Sequence, residues 1–446
     1  MSFQALVIFL EMVFCKIFIR PVEATNTDIL MWVLFAINFI TLTIILTRVT
    51  KSKEINGYLL LSFFLRIVVL LWDTYARHIF ILPNSEGDAV WYHFQGESYA
   101  FGSRQNVVNL KHYPFYVGQI YKMIGSQKFT AQYINIFLAM CSVVMVYRIL
   151  DMLNVSYKYK KMVVLLLGFA PNSLMVTTFL LQESFVSFMA TASFYFFTIW
   201  FTKRNSFAFF MALAVSVYGA LLHIGGIVPA VGFVILYFLI NNKRRILRFT
   251  MFKLTAVIVM MVVALFCISL FGDELLNKTG GELSASAITG SKVLTEEAGG
   301  QYYIGIPGLP PTVDLIVNTP VRMFFFVFSP MPWMWRGPGD ILAFFGATVF
   351  YILTTITVIK TLKTAKKAGF SKEEDNLWSY MIITIVIVLM AAFMFGWGVS
   401  NSGSVLRHRE KFTFICLGLY GIAKEMTMRI RRREYEKKNI SHRTDL

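Results

Sequence analysis

The chain is poor in charge and poorer still in acid. Only 15% of its 446 residues are charged while 57% are hydrophobic; a soluble globular domain is about a quarter charged and about half apolar. That shortage excludes an ordinary water-soluble fold and places the chain in the membrane class. Acidic residues number 25 against 42 Lys and Arg, a formal net charge of +17. The basic residues fall in short clusters between apolar runs, which is the positive-inside pattern and implies no nucleic-acid partner. Cysteine is limited to four positions, Cys15, Cys141, Cys267 and Cys416, each within an apolar run. They form no paired framework and no metal-ligand spacing, which argues against a disulfide scaffold or a thiolate metal cluster.

What the chain has in quantity is apolar segments of spanning length. Runs at 2–20, 28–48, 57–82, 129–150, 161–181, 184–202, 206–222, 225–241, 250–271, 340–360, 377–398 and 411–427 predict an all-α polytopic membrane protein with about 11–12 transmembrane helices. Residues 2–20 carry Glu11 and lack a basic leader, so they do not read as a cleaved signal peptide; whether they span the bilayer or lie in its interface stays open. The clusters Arg48/Lys51/Lys53, Arg148/Lys158/Lys160/Lys161, Lys203/Arg204, Lys243/Arg244/Arg245/Arg248, Lys360/Lys363/Lys366/Lys367 and Arg429/Arg431/Arg432/Arg433 all fall on one side if residues 83–127 face outward, which leaves the basic tail, 429–446, in the cytoplasm. Within the run 57–82, Arg66, Asp73 and Arg77 share one helical stripe, and an Asp73–Arg77 pair is the expected lock between this helix and the bundle. Residues 106–125, with Pro114 near their start, predict an amphipathic helix along the outer surface. A hydrophilic insertion at 272–314 predicts an outer loop, extended to 338 by the Pro- and Trp-rich stretch before the next span.

The informative short stretch is Asn84-Ser85-Glu86-Gly87-Asp88-Ala89-Val90-Trp91-Tyr92-His93, just beyond the third run. Gly87 lets the backbone turn between two carboxylates, and Trp91, Tyr92 and His93 suit a membrane–water boundary. A solvated acidic loop capped by interfacial aromatics reads the same residues with no chemistry at all. Other residues with potential chemistry lie on the same outer side. Arg407-His408-Arg409, preceded by Ser402-Gly403-Ser404, sets two guanidiniums and an imidazole together as a phosphate clamp. Arg322 is followed by three phenylalanines and a Pro/Trp-rich stretch, which suits either a charged lipid head or an interfacial anchor. Glu183 follows Pro171-Asn172-Ser173 at an outer junction, where a helix cap is the plainer reading, and His223 precedes Gly225-Gly226 at another turn. Lys111 is a cation on the side where cations should be few.

Glu86-x-Asp88 followed by Ala-x-x-Tyr-His resembles the first outer loop of the GT-C membrane glycosyltransferases. Tyr113-Pro114-Phe115-Tyr116 looks like that fold's outer interfacial helix. The segment from Ala170-Pro171-Asn172-Ser173 to Glu183 is similar to the proline-to-glutamate segment of bacterial lipid-carrier-dependent members. Arg407-His408-Arg409 resembles their late Arg-containing element. The resemblance covers residues 57–428, with residues 1–56 as N-terminal apolar segments ahead of the presumed core, and the chain lacks the large C-terminal soluble domain of oligosaccharyltransferase-like members.

The resemblance implies a GT-C-like bundle in a bacterial cytoplasmic membrane. Its activity would be inverting transfer of a sugar from a polyprenyl-phosphate or -diphosphate donor to a glycan or glycolipid acceptor on the outer face. Asp88 is then the general base, with Glu86 orienting the acceptor or tuning Asp88. Arg407, Arg409, Arg322 and His408 contact the donor phosphate, and Tyr92, His93, Glu183, His223 and Lys111 line the site. A divalent cation is an optional participant that no ligand set here demands. A lipid donor accords with the lack of a nucleotide-binding motif. The alternatives are a repeat-unit polymerase or ligase and a non-enzymatic lipid-linked sugar flippase; a transporter would place its charges near mid-membrane.

Overall fold

The computed structural model describes residues 36, 39–43, 52–241, 246–247, 305–306, 308–368, 372–399 and 402–444. The runs at 2–20 and 250–271, nearly all of 28–48 and of the insertion 272–314, and the cluster Lys243/Arg244/Arg245/Arg248 lie outside the described residues as far as their side chains are concerned. The described chain is helical apart from a two-residue antiparallel ladder, β1 (Ile240–Asn241) with β2 (Ile246–Leu247). Among the described residues, six helices are long and apolar enough to cross a membrane, and two more apolar helices are shorter.

The helices are α1 (Lys53–Leu71, continued by a π turn to Ala76), α2 (Asp88–Ala100), α3 (Tyr113–Ile124), α4 (Lys128–Met152), α5 (Tyr157–Phe169), α6 (Pro171–Val176) and α7 (Glu183–Lys203). Then follow α8 (Ser206–Leu222), α9 (Val228–Leu239), α10 (Pro311–Phe328), α11 (Pro338–Ala343), α12 (Val349–Ala368), α13 (Lys372–Gly398) and α14 (Ser402–Thr444). Ser52 and Asn205 cap α1 and α8 through their side chains, satisfying first-turn N–H groups that have no intrahelical partner. Pro114 sits in the first turn of α3, where its missing N–H costs nothing.

Four boundaries differ from the sequence reading. The run 57–82 ends as a helix at Ala76, so the acidic turn is reached through residues 77–87 and not directly from a span. The run 161–181 is not one helix: α5 stops before Pro171, whose ring disfavours helix in the residue ahead of it, and residues 177–182 are irregular. The predicted surface helix at 106–125 forms only from Tyr113. The outer loop drawn to residue 338 contains α10, itself apolar and long enough to span, so Arg322 lies inside a helix and not in a loop.

Two compact units are present. Unit 1 comprises residues 1–144 and 174–185. Its irregular stretch is held from within: Asn135 Nδ2 donates to the Phe179 and Leu181 carbonyls at 2.7 and 3.0 Å, Arg66 Nε to Thr177 Oγ1 at 3.2 Å, and Ser184 Oγ to the Thr177 carbonyl at 3.0 Å. Non-helical backbone at membrane depth persists only when its polar groups are met inside protein. Arg66, fully buried mid-helix, also donates to Ser62.

Unit 2 comprises residues 145–173 and 186–446 and is built around α14. Residues 409–423 of that helix are buried without interruption, and α14 packs against α5, α10, α12 and α13. The predicted span 411–427 is thus the middle of a much longer helix that faces protein on every side, with Cys416 buried among its neighbours.

Candidate functional site

In unit 1 the acidic turn is a left-handed one. Asn84 and Gly87 both have positive φ, 69° and 58°, a region that asparagine tolerates and glycine enters freely. Gly87 is the N-cap of α2, and Asp88 is its first residue, where a carboxylate is favoured by the helix dipole. Glu86 is largely exposed, its side chain at 60%; Asp88 is half-buried.

Glu86 is tied down. Arg77 Nη2 lies 3.4 Å from Glu86 Oε1, and Arg77 Nη1 donates to the Ser85 carbonyl at 3.2 Å and faces Asp73 Oδ1 at 3.5 Å. Asp73 is buried, its side chain only 1% exposed, and it also accepts from Lys128 Nζ and Gln132 Nε2, each at 2.8 Å. The expected Asp73–Arg77 pair is therefore present, but it belongs to a chain of charges that runs from a buried carboxylate to the acidic turn.

The aromatic residues after the turn pack α2 on α3. Tyr92 is buried against Tyr113, ring centroids 5.1 Å apart. His93 Nδ1 is 2.8 Å from the Tyr121 hydroxyl and its Nε2 is 3.7 Å from Glu97, which also accepts from Ser126. Burial chiefly lowers the His93 pKa from 6.5; Glu97 opposes this and Lys128 adds to it. The Tyr121 phenol is pushed above its usual range, mainly by burial, so it can donate to neutral His93. Glu183 is buried at the start of α7. Burial, and secondarily Glu183, hold the Tyr113 phenol high, and Tyr113 donates to Asn135 at 3.2 Å. Lys111 is exposed on the loop between α2 and α3.

In unit 2 the run Arg407-His408-Arg409 divides, because residues two apart on a helix point to different sides. Arg409 is fully buried; its Nη1 donates to the Val327 carbonyl at 2.7 Å, both Nη atoms face Thr348 Oγ1 at 3.4 Å, and the guanidinium lies 5.3 Å from the Tyr351 ring. Val327 is in the last turn of α10, whose carbonyls have no intrahelical donor, so Arg409 caps that helix. Of the two arginines expected to form a phosphate clamp, Arg409 is engaged by the protein itself, and half-buried Arg407 does not share its direction. His408 joins a different group. Its ring is 5.0 Å from His223 and 5.2 Å from Phe395, and Lys411 Nζ lies 2.7 Å from its Nδ1. The His223–Phe395 contact is close because Gly225 leaves room; a Cβ there would fall 2.1 Å from Phe395 Cζ. Arg322 is buried with its guanidinium 4.4 Å from the Trp397 ring centroid, a cation–π stack that the adjacent Gly396 permits by bringing α13 onto the α10 backbone.

The sequence reading did not single out Lys128, Gln132, Asn135 or Lys411. Lys128 carried a signal, being a cation at the start of a long apolar run. Gln132 and Asn135 lie four and seven residues from it along one face of α4, a polar stripe in an apolar run. Among the described residues no three His, Cys, Asp or Glu side chains converge as a metal site. No family model, curated protein or solved structure matches this chain.

Proposed function

We propose that the chain is a GT-C-like membrane glycosyltransferase that uses a polyprenyl-phosphate or -diphosphate sugar and acts on the outer face of a bacterial cytoplasmic membrane. The acceptor is a sugar hydroxyl of a glycan or glycolipid. The observation that carries this reading is the left-handed Glu86-Gly87-Asp88 turn, in which one carboxylate is held by Arg77 and the other opens a helix. Two carboxylates in one turn with different surroundings suit two different tasks.

In this mechanism an Asp88 oxygen accepts the proton of the acceptor hydroxyl as that oxygen attacks the anomeric carbon. The bond from the anomeric carbon to the donor phosphate breaks, and its electron pair leaves with the phosphate. Arg407 is the leading phosphate contact, since Arg409 is engaged in capping α10. The test is Asp88→Asn, which keeps size but cannot take the proton at neutral pH. Turnover should fall about 10²–10⁴-fold while binding of the prenyl phosphate donor, measured on the same sample, stays close to wild type. Transfer at the wild-type rate by the Asp88→Asn protein would remove Asp88 from the chemistry. A polymerase would show the same loss, but only with donors carrying a complete repeat unit.

One observation favours a flippase as the second reading. Arg66 and Arg322 are fully buried inside candidate spans, where charge often marks a transport path. Purified protein in sealed vesicles separates the two: a flippase moves the lipid-linked sugar without forming a new glycosidic bond.

A further inference from the structure

We propose that Arg77 is a positioning residue: it holds the acidic turn in its left-handed form, so that Glu86 is an anchored ion-pair partner and the proton-accepting task falls to Asp88. This rests on the glycosyltransferase reading, but the anchoring itself can be tested separately. The argument starts from Asp73, which is buried and has its two short contacts from Lys128 and Gln132. Arg77 is its longest contact. Asp73 is therefore provided for without Arg77, whereas Arg77 spends its remaining two contacts on Ser85 and Glu86.

Those two residues lie between Asn84 and Gly87, the two positive-φ positions. A turn with two left-handed residues has an energetic cost and needs surroundings that hold it. The planar guanidinium meets the three acceptors from two nitrogens at once. A lysine ammonium is a single point charge and cannot reproduce that spacing.

The experiment uses the full chain with Arg77→Gln and, as the milder variant, Arg77→Lys. Asp73 keeps Lys128 and Gln132 in both, so the fold is expected to survive; should Arg77→Gln not fold, Arg77→Lys carries the test alone. Amide exchange of a peptide spanning 84–92 reports the hydrogen bonds from Ala89 N–H to Glu86 and from Trp91 N–H to Gly87. It should quicken about fivefold, a modest factor because Glu86 is exposed. In the transfer assay kcat should fall while KM for the prenyl phosphate donor changes little. Adding Glu86→Gln to Arg77→Gln should cost nothing further, since both remove one interaction. Unchanged exchange over 84–92 would overturn the anchor, and additive losses in kcat would overturn the positioning role. If the wild-type protein transfers no sugar, the enzymatic reading falls and the exchange measurement judges the anchor by itself.

Discussion

Two clusters, one in each unit, handle their cations in opposite ways. In unit 1, Arg77 and Lys128 meet carboxylates, Asp73 and Glu86, and the chain of charges ends at an exposed turn. In unit 2, Arg409 meets a carbonyl, a hydroxyl and a ring face, and Arg322 stacks on an indole. An ion pair with one exposed end can transmit position to the surface. A guanidinium absorbed by backbone and aromatics fixes helices against one another. The two arginines that the sequence made a matching pair, Arg407 and Arg409, are therefore no pair, and the arginine that does act on the acidic turn is Arg77.

The sharpest way to break this comparison is at Asp73. Asp73→Asn leaves Lys128 and Arg77 without their shared buried carboxylate, and unfolding in detergent should show a loss of about 3 kcal/mol, the low end for a broken buried pair because Lys128 keeps some solvent. A loss below the error of the measurement would mean the charges are not coupled. Next comes Arg409→Gln. It removes the donor to the Val327 carbonyl and should destabilise by about 1–3 kcal/mol, whereas the chief effect of Arg407→Ala should be on transfer. The reverse pattern would return Arg409 to the phosphate.

The smallest effect concerns His93. Its folded pKa lies below the 6.5 of the unfolded chain because of burial, so below pH 6.5 the unfolded state binds more protons and stability declines as pH falls. His93→Gln should make the stability profile flatter between pH 6.5 and the folded value, and leave it unaltered above pH 7. A profile identical to wild type would show that His93 does not titrate differently on folding.

Composition and hydropathy read out the helical membrane class, and the runs 57–82, 129–150, 184–202, 340–360 and 377–398 each overlap a helix long and apolar enough to span. Gly87 announced the turn, since two carboxylates around a glycine need a tight backbone. What escaped has a common cause. The irregular stretch 177–182 depends on Asn135 and Ser184 reaching its carbonyls and on Arg66 reaching the Thr177 hydroxyl from elsewhere in unit 1, and hydropathy scores the stretch as apolar regardless. Arg409 looked like an exposed cation at a span entrance because its partners, Val327 and Thr348, lie 82 and 61 residues away. Long-range hydrogen bonding leaves no local mark.

The burial of α14 has a consequence for how the protein is made. Between Lys411 and Lys424 only twelve uncharged residues intervene, about 18 Å of helix at the standard rise, well short of the roughly 30 Å of bilayer hydrocarbon. With Arg409, Glu410 and Lys411 at one end, this segment partitions poorly into lipid on its own. The helices against which it packs, α5, α10, α12 and α13, all precede it in the chain. They are synthesised before it, and in the folded unit they form the cradle that surrounds its buried segment. Membrane insertion of unit 2 is in that sense a docking event, and a chain cut before residue 402 would leave its cradle open.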